Sequence, residues 1–155
     1  IDPKTGNQVG PVDFMDATHG CDLLVHPATG EVCILKIVAC HDVGKIINEK
    51  ILIGQIAGGI SMGMGQVLFE KIQIENDKII TTGLHEYLVP TSMDVPKNIE
   101  IHFLESGTGL GPYGSKGIGE SAAVTAPAAI ANALYHALNK QINHISLTPE
   151  ELINL

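Results

Sequence analysis

The order of hydrophobic and polar positions predicts strands first and helices later. Residues 12–27, VDFMDATHGCDLLVHP, and the β-branched run at 31–43, EVCILKIVACHDV, read as two strands on either side of Ala28-Thr29-Gly30. The short connection between them, from Pro27 to Gly30, predicts an antiparallel hairpin. The preceding residues 1–11, with Asp2-Pro3 and two glycines, predict a turn-rich lead-in. Residues 51–69 then run for nineteen positions without a charge and predict a helix, with Asn48 available as its cap after the Asp42-Val43-Gly44 turn. KIQIEN, the Asn76-Asp77 turn and KIITTG predict a second hairpin, and residues 98–105, NIEIHFLE, alternate as a strand. The helical pattern that follows Glu120 contains Pro127, which predicts a break near Ala126 and a second helix capped by Thr125 and running to about Leu138. LTPEELINL predicts a last short helix with Thr148 as cap and Pro149 at its first position. The fold class expected is α+β, antiparallel hairpins packed with a buried glycine-rich helix and C-terminal helices in a single domain over residues 1–155.

The uncharged helix permits two readings. Its length suits a bilayer span, yet it holds five glycines and two glutamines, and an uncompensated amide in hydrocarbon is costly. A helix meeting protein on every face is the expected alternative. Gln55, Gly59, Met62 and Gln66 recur at helical spacing on one face, where glycine lets another backbone or a flat ligand approach.

Residues 107–120, GTGLGPYGSKGIGE, concentrate six glycines just before that last helical pattern. Such a loop at a helix start is suited to gripping an anion or an oxygen-rich ligand through backbone N–H groups. Glu120 does not fit phosphate binding, because a carboxylate there repels the ligand, although it interacts well with the helix dipole. It therefore reads either as an ordinary acidic helix start or as a group with separate chemistry. Gly109, Gly111 and Gly114 match the dinucleotide pattern G-x-G-x-x-G only weakly, since Pro112 lies inside it and no helix begins at its end. The P-loop pattern is missing, because Gly117 follows Lys116 where Ser or Thr is required.

Composition narrows the classes. A chain of 155 residues with 45% hydrophobic content can bury a core and is not expected to be disordered. A net charge of -8 argues against nucleic acid, and nine Lys and Arg supply no basic patch for anionic lipid. Cys21, Cys33 and Cys40 have no CxxC spacing, so neither a disulfide framework nor an iron–sulfur cluster is expected, and a reducing cytoplasm is the simplest compartment. The pairs His19-x-Cys21 and Cys40-His41 read as structural rather than metal-ligating. The chain opens on Ile1 without a signal pattern, which suits a processed chain or part of something longer.

Two long segments carry a resemblance. GPYGSKGIGESAAVTAPAAIANA is similar to the C-terminal part of the molybdopterin-binding large subunit of the xanthine dehydrogenase and aldehyde oxidase family, the molybdenum hydroxylases. VACHDVGKIINEKILIGQIAGGISMGMGQVLFE resembles the same family's other late signature, and the likeness covers residues 12–155. His85 to Pro90 resembles the family's Tyr-x-x-Pro segment, with His85 in place of the usual Asn or Thr.

The resemblance implies a molybdenum ion held by molybdopterin, in some members extended as the cytosine dinucleotide. It implies that Gln55 hydrogen-bonds the pterin and that the backbone of Ser115, Lys116, Gly117, Ile118 and Gly119 lines the molybdenum end. Glu120 would be the general base toward Mo–OH in the oxidative hydroxylation of an electron-poor carbon, with no protein ligand to the metal. The rest of the molybdopterin subunit, an iron–sulfur subunit and an FAD subunit would complete the enzyme, and a purine, a nicotinate-like heterocycle or an aldehyde would be its substrate. A cofactor-free inactive fragment and a non-enzymatic anion-binding module are the competing expectations.

Overall fold

In the computed structural model, residues 4–6 and 13–155 are described. Most of the expected lead-in loop, and Val12 of the first expected strand, lie outside them.

Strand β1 (Ala17–Val25) pairs antiparallel with β2 (Val32–Asp42), as the hairpin expectation has it. The connecting turn closes through His26, whose carbonyl accepts from Gly30 N at 2.8 Å, with Gly30 at φ 70°. The register steps past Leu35, since Asp22 faces Lys36 while Leu23 faces Ile34. This bulge lets Ile34 and Ile37, three residues apart, both turn toward the core.

The third strand changes the topology from a set of hairpins. Strand β5 (Ile99–Leu104) adds to β2 in parallel, from Ile37 opposite Ile99 to Asp42 opposite Leu104, giving the order β1-β2-β5. A parallel neighbour needs a crossover, and helix α1 (Glu49–Leu68) with the segment after it supplies one. Strands β2 and β5 therefore end side by side, and the turn after Asp42 meets the glycine-rich loop after Leu104. The second expected hairpin shrinks to β3 (Ile74–Glu75) and β4 (Lys78–Ile79), joined by Asn76 and Asp77, both at positive φ as a two-residue primed turn requires.

Asn48 caps α1 by accepting from Ile51 N at 3.1 Å. Helix α1 buries Leu52, Ile56, Ile60, Met64 and Val67 on one side. The expectation that every face meets protein is not met within this chain, because Ile51 and Met62 are 64% and 59% exposed. By length and hydropathy α1 could also cross a bilayer. Its buried side is instead fitted to α2 (Ser121–Leu138), which lies across β1 and α1.

Pro127 does not break α2, which runs unbroken through it, and Thr125 is an interior residue rather than a cap. One backbone bond is lost at Pro127, but the ring settles over Gly63 of α1, where a Cβ would come within 2.8 Å of Pro127 Cδ and of Ala126 Cβ. Gly59 meets Ala122 in the same way. The two helices are close because α1 offers glycine opposite alanine and proline, so that burial of Ala122, Ala126, Ile130 and Leu134 opposes the proline penalty. Asn139 ends α2 in the left-handed conformation. Helix α3 (Pro149–Asn154) starts as expected, with Thr148 and Glu151 forming a reciprocal capping box.

Replacing Gly63 by Val should lower thermal stability by about 2 kcal/mol or more, the cost of overpacking a closed contact, despite the better helix propensity of Val. Gly58→Ala, on the open side of α1, should raise stability by a few tenths to about 1 kcal/mol in the same unfolding experiment.

Candidate functional site

The neighbouring ends of β2 and β5 create a knot of three segments. Lys116 N donates to Val43 O at 2.9 Å, Gly107 N to Gly44 O at 2.9 Å, and Val43 N to Leu104 O at 3.0 Å. Gly44 must be glycine here, being at φ 66° and pressed against the carbonyl of Gly114. Lys45 and the N–H of Ile46 both hold the Glu105 carboxylate, at 2.8 and 3.1 Å.

Asp42 is the centre of the knot. One carboxylate oxygen accepts from Gly44 N at 3.0 Å and Ser106 Oγ at 2.8 Å, and the other from Lys116 Nζ at 2.7 Å. Both charged side chains are nearly enclosed, at 7% and 8% exposure. The Lys116 ammonium beside it, then the Gly44 N–H, hold the Asp42 carboxyl far below the usual carboxylate range, and Asp42 in turn raises Lys116. The positive charge of Lys116 is thus committed to Asp42 and its backbone N–H to Val43 O, so the residue serves to fix the loop.

The glycines of the loop divide into two groups. Gly109 and Gly111 are packed against the carbonyl of Ser115, and Gly114 is at φ 84°, so internal geometry accounts for each. Gly117 and Gly119 have ordinary φ values and nothing within 4 Å of where a Cβ would stand. Among the described residues no contact explains glycine at either position. The open space over them is a cradle that side chains would fill, and it fits a flat cofactor approaching the backbone.

The sequence-predicted residues line two faces of this loop. Gln55 joins Ser115, Lys116 and Ile118 in a groove of about 310 Å³ floored by Ile51 and Leu52 of α1. Gly117, Gly119 and Glu120 open instead on a cleft of about 540 Å³, shared with Asp13, Phe14, Ser121 and Val124. Glu120 is exposed at the head of α2 and makes no side-chain cap bond, so its carboxylate is not used to start the helix. Gln55 is exposed as well. Gln66, on the same helix, belongs elsewhere, in a groove with Glu70, Tyr87 and His144. Tyr113, 86% exposed and at φ 60°, projects from the loop in a conformation that costs a non-glycine residue of order 1 kcal/mol. The groove presents the Gln55 amide to a hydrogen-bonding ligand, the N–H groups of Ser115 and Lys116 being donated to Pro112 O and Val43 O, and the cleft presents a carboxylate able to take or give a proton.

A second polar group escaped the sequence reading. His19 of β1 and His41 of β2 meet Nε2 to Nε2 at 2.8 Å beneath the first turn of α2, where Ser121 Oγ lies 3.3 Å from His41 Nδ1 and Thr125 Oγ1 lies 3.1 Å from His19 Nε2. Burial lowers the pKa of both rings, that of His19 to about 4 with the neighbouring His41 adding to the effect. Both are neutral at pH 7. Each histidine was paired in sequence with a cysteine, and only the cross-strand register, His19 beside Ala39 with His41 two residues on, brings the two rings together. Among the described residues no three His, Cys, Asp or Glu side chains come together as a metal-binding set.

Two pH effects follow. Asp42 has a lowered pKa, so its stabilising contribution is full above the unfolded-state value near 3.8 and declines as pH falls below it. Asp42→Asn should therefore lower the melting temperature by a similar amount from pH 8 to 5, with the gap to the parent narrowing only below about pH 4. For His19 the neutral form is favoured on folding, so its contribution is full above 6.5 and lost as pH falls toward about 4. His19→Gln should flatten the stability profile across that window in a pH series of thermal melts.

Comparison with known proteins identifies the architecture. Residues 2–96 match the family model described as the molybdopterin cofactor-binding domain. The chain is 36% identical to the nicotine 6-hydroxylase large subunit of Paenarthrobacter nicotinovorans, over 90% of this chain and 18% of that protein. It is 34% identical to the xanthine dehydrogenase molybdenum-binding subunit of Escherichia coli O157:H7, over 97% of this chain and 21% of that protein. The fold superposes on the aldehyde oxidoreductase of Desulfovibrio desulfuricans with a TM-score of 0.81 and 31% identity, covering 90% of this chain and 15% of the other. The chain thus spans about a fifth of the relatives' length. With the loop, groove and cleft laid out as above, these matches establish that the chain belongs to the molybdopterin cofactor-binding domains of the molybdenum hydroxylase large subunits.

Proposed function

We propose that this chain forms one wall of the catalytic centre of a molybdenum hydroxylase, with Gln55 and the backbone of residues 115–119 holding molybdopterin and Glu120 acting as general base. The observation that carries this reading is the pair of glycines, Gly117 and Gly119, left open immediately before a free carboxylate. When bound, the pterin-held molybdenum supplies the two-electron oxidation that no residue of this chain can perform.

The residues of the chain do the rest. Gln55 has both a donor and an acceptor to match a pterin edge, and it faces the groove that Ser115, Lys116 and Ile118 share. The Asp42 clamp keeps the loop backbone in place, so the N–H groups of Gly117, Ile118 and Gly119, which follow the internally bonded Ser115 and Lys116, need little rearrangement to meet a ligand. Glu120 removes the proton of the oxygen nucleophile as that oxygen attacks an electron-poor carbon, a step typically worth about 10²–10⁴-fold.

The remaining four-fifths of a large subunit would cover the open side of α1, where Ile51, Ile53 and Met62 are exposed. Iron–sulfur and FAD partners would carry the electrons away, and the cofactor would be molybdopterin either plain or as its cytosine dinucleotide. The relatives named above include a nicotine hydroxylase, a xanthine dehydrogenase and an aldehyde oxidoreductase, so the substrate class here is an electron-poor heterocycle or an aldehyde.

In the assembled enzyme, Glu120→Gln should abolish turnover while molybdenum and pterin content stay near those of the parent. Loss of the cofactor together with activity would make Glu120 structural, and retained turnover would remove it from catalysis.

A further inference from the structure

We infer that Asp13 is a positioning residue that ties the outer limb of the glycine-rich loop, residues 108–114, and through it fixes Ser115 at the start of the segment proposed to hold molybdopterin. The inference rests on that assignment of residues 115–119 and names a second hold on them besides the Asp42 clamp.

Asp13 stands on a lead-in to β1 that is anchored before it reaches the loop. Ala17 pairs with His41, and Asp16 O accepts from Asp42 N at 2.9 Å, so residues 16 and 17 are fixed to the end of β2. Three residues earlier both oxygens of the Asp13 carboxylate are in use. Oδ1 accepts from Phe14 N at 2.9 Å, which sets the direction of the side chain, and Oδ2 accepts from Leu110 N at 3.0 Å. An ionised acceptor makes the stronger kind of hydrogen bond to a backbone N–H.

The place of Leu110 in the loop gives this bond its consequence. Gly109 and Gly111, on either side of it, pack against the Ser115 carbonyl, where a Cβ on each would stand 2.2 and 2.6 Å from the oxygen. Gly111 N also donates to that oxygen at 3.0 Å. Ser115 therefore rests on the turn that has Leu110 at its middle. Gly109 N and Gly114 N bond within the limb, and Thr108 reaches back only to Ser106. Among the described residues, the bond to Asp13 is the one hydrogen bond that joins residues 109–114 to a segment outside the loop. Side chains do not anchor the limb instead, since Leu110 and Tyr113 are both exposed. A stretch with three glycines gives up much conformational entropy on ordering, so a single tie decides how far it moves.

Two neighbouring residues of the cofactor segment are thus held in different ways. Lys116 is held by Asp42 and Val43 O in an enclosed ion pair, whereas Ser115 is held through a bond open to solvent. The second hold is therefore removable without unfolding the chain.

Asp16 separates the tie from the charge of Asp13. Both carboxylates raise the pKa of Lys116, behind the larger effect of its hydrogen bond to Asp42, and both border the Glu120 cleft. Asp16, however, makes its bond to Asp42 with its backbone. Asp16→Ala removes a charge and no tie, and Asp13→Ala removes both.

The test uses the assembled large subunit. Deuterium exchange of the amides of residues 108–114, read by mass spectrometry, should quicken at least about tenfold in Asp13→Ala and stay within about twofold of the parent in Asp16→Ala. Asp13→Ala should also release molybdenum and pterin at least about threefold faster on dialysis, with turnover per bound molybdenum within about twofold and a melting temperature within about 4 °C of the parent. Exchange as slow as the parent's in Asp13→Ala, equal quickening in Asp16→Ala, or quicker exchange with unchanged cofactor release would overturn the inference. Turnover per bound molybdenum lowered as far as retention would overturn it as well, by placing Asp13 in the chemistry. The two readings fail separately. If valine at Gly117 and Gly119 leaves cofactor content unchanged, the assignment of residues 115–119 falls while the exchange rates still report the tie. If valine there expels the cofactor and Asp13→Ala behaves as the parent, the tie alone falls.

Discussion

The contact between Asp42 and Lys116 is the constraint on which the rest of the site depends. It joins residues 74 positions apart, one at the end of a central strand and one in a loop of glycines that has little side-chain packing of its own. A loop so rich in glycine gives up much conformational entropy when ordered. The enclosed ion pair, reinforced by Ser106 and the Gly44 N–H, supplies a fixed point from which the backbone of residues 115–119 is held. Removing a partner would leave an enclosed charge uncompensated, which makes the clamp hard to loosen by small fluctuations.

That arrangement gives one short loop two different sides. The α1 side carries Gln55 over an apolar floor, the face proposed for cofactor recognition. The α2 side carries Glu120 at the helix head, the group proposed as base. The close crossing of α1 and α2 through Gly59 and Gly63 sets the distance between the two sides. Glycine therefore serves three different ends in this chain: a helix crossing, a tight turn at Gly44, and an open cradle at Gly117 and Gly119.

Local chemistry was legible in the sequence where it is decided locally. The first hairpin, the Asn48 and Thr148 caps, and the glycine loop before α2 all follow from short-range pattern. The parallel placement of β5 did not, because alternation in NIEIHFLE reports which face is buried and says nothing of the neighbour. Pro127 misled for a related reason: its penalty is local, while the contact with Gly63 that offsets it is sixty-four residues away in the chain. The full apolarity of α1 was read as burial on all sides, yet one side is open in this chain, because an uncharged pattern does not say which faces the rest of the same chain reaches. The histidine pair was invisible because each ring's sequence neighbours suggested only a cysteine, and the register that joins them belongs to the sheet.

The most direct test of the account is the molybdenum and pterin content of the assembled large subunit carrying Gly117→Val and Gly119→Val, singly and together. Neither position has a positive φ or, among the described residues, a neighbour within 4 Å of an added Cβ, so the fold should be kept, as judged by an unchanged melting temperature. The account predicts that molybdenum and pterin are lost from these variants. Full loading of the folded double variant would contradict it, and would mean that the open glycines face something other than the cofactor.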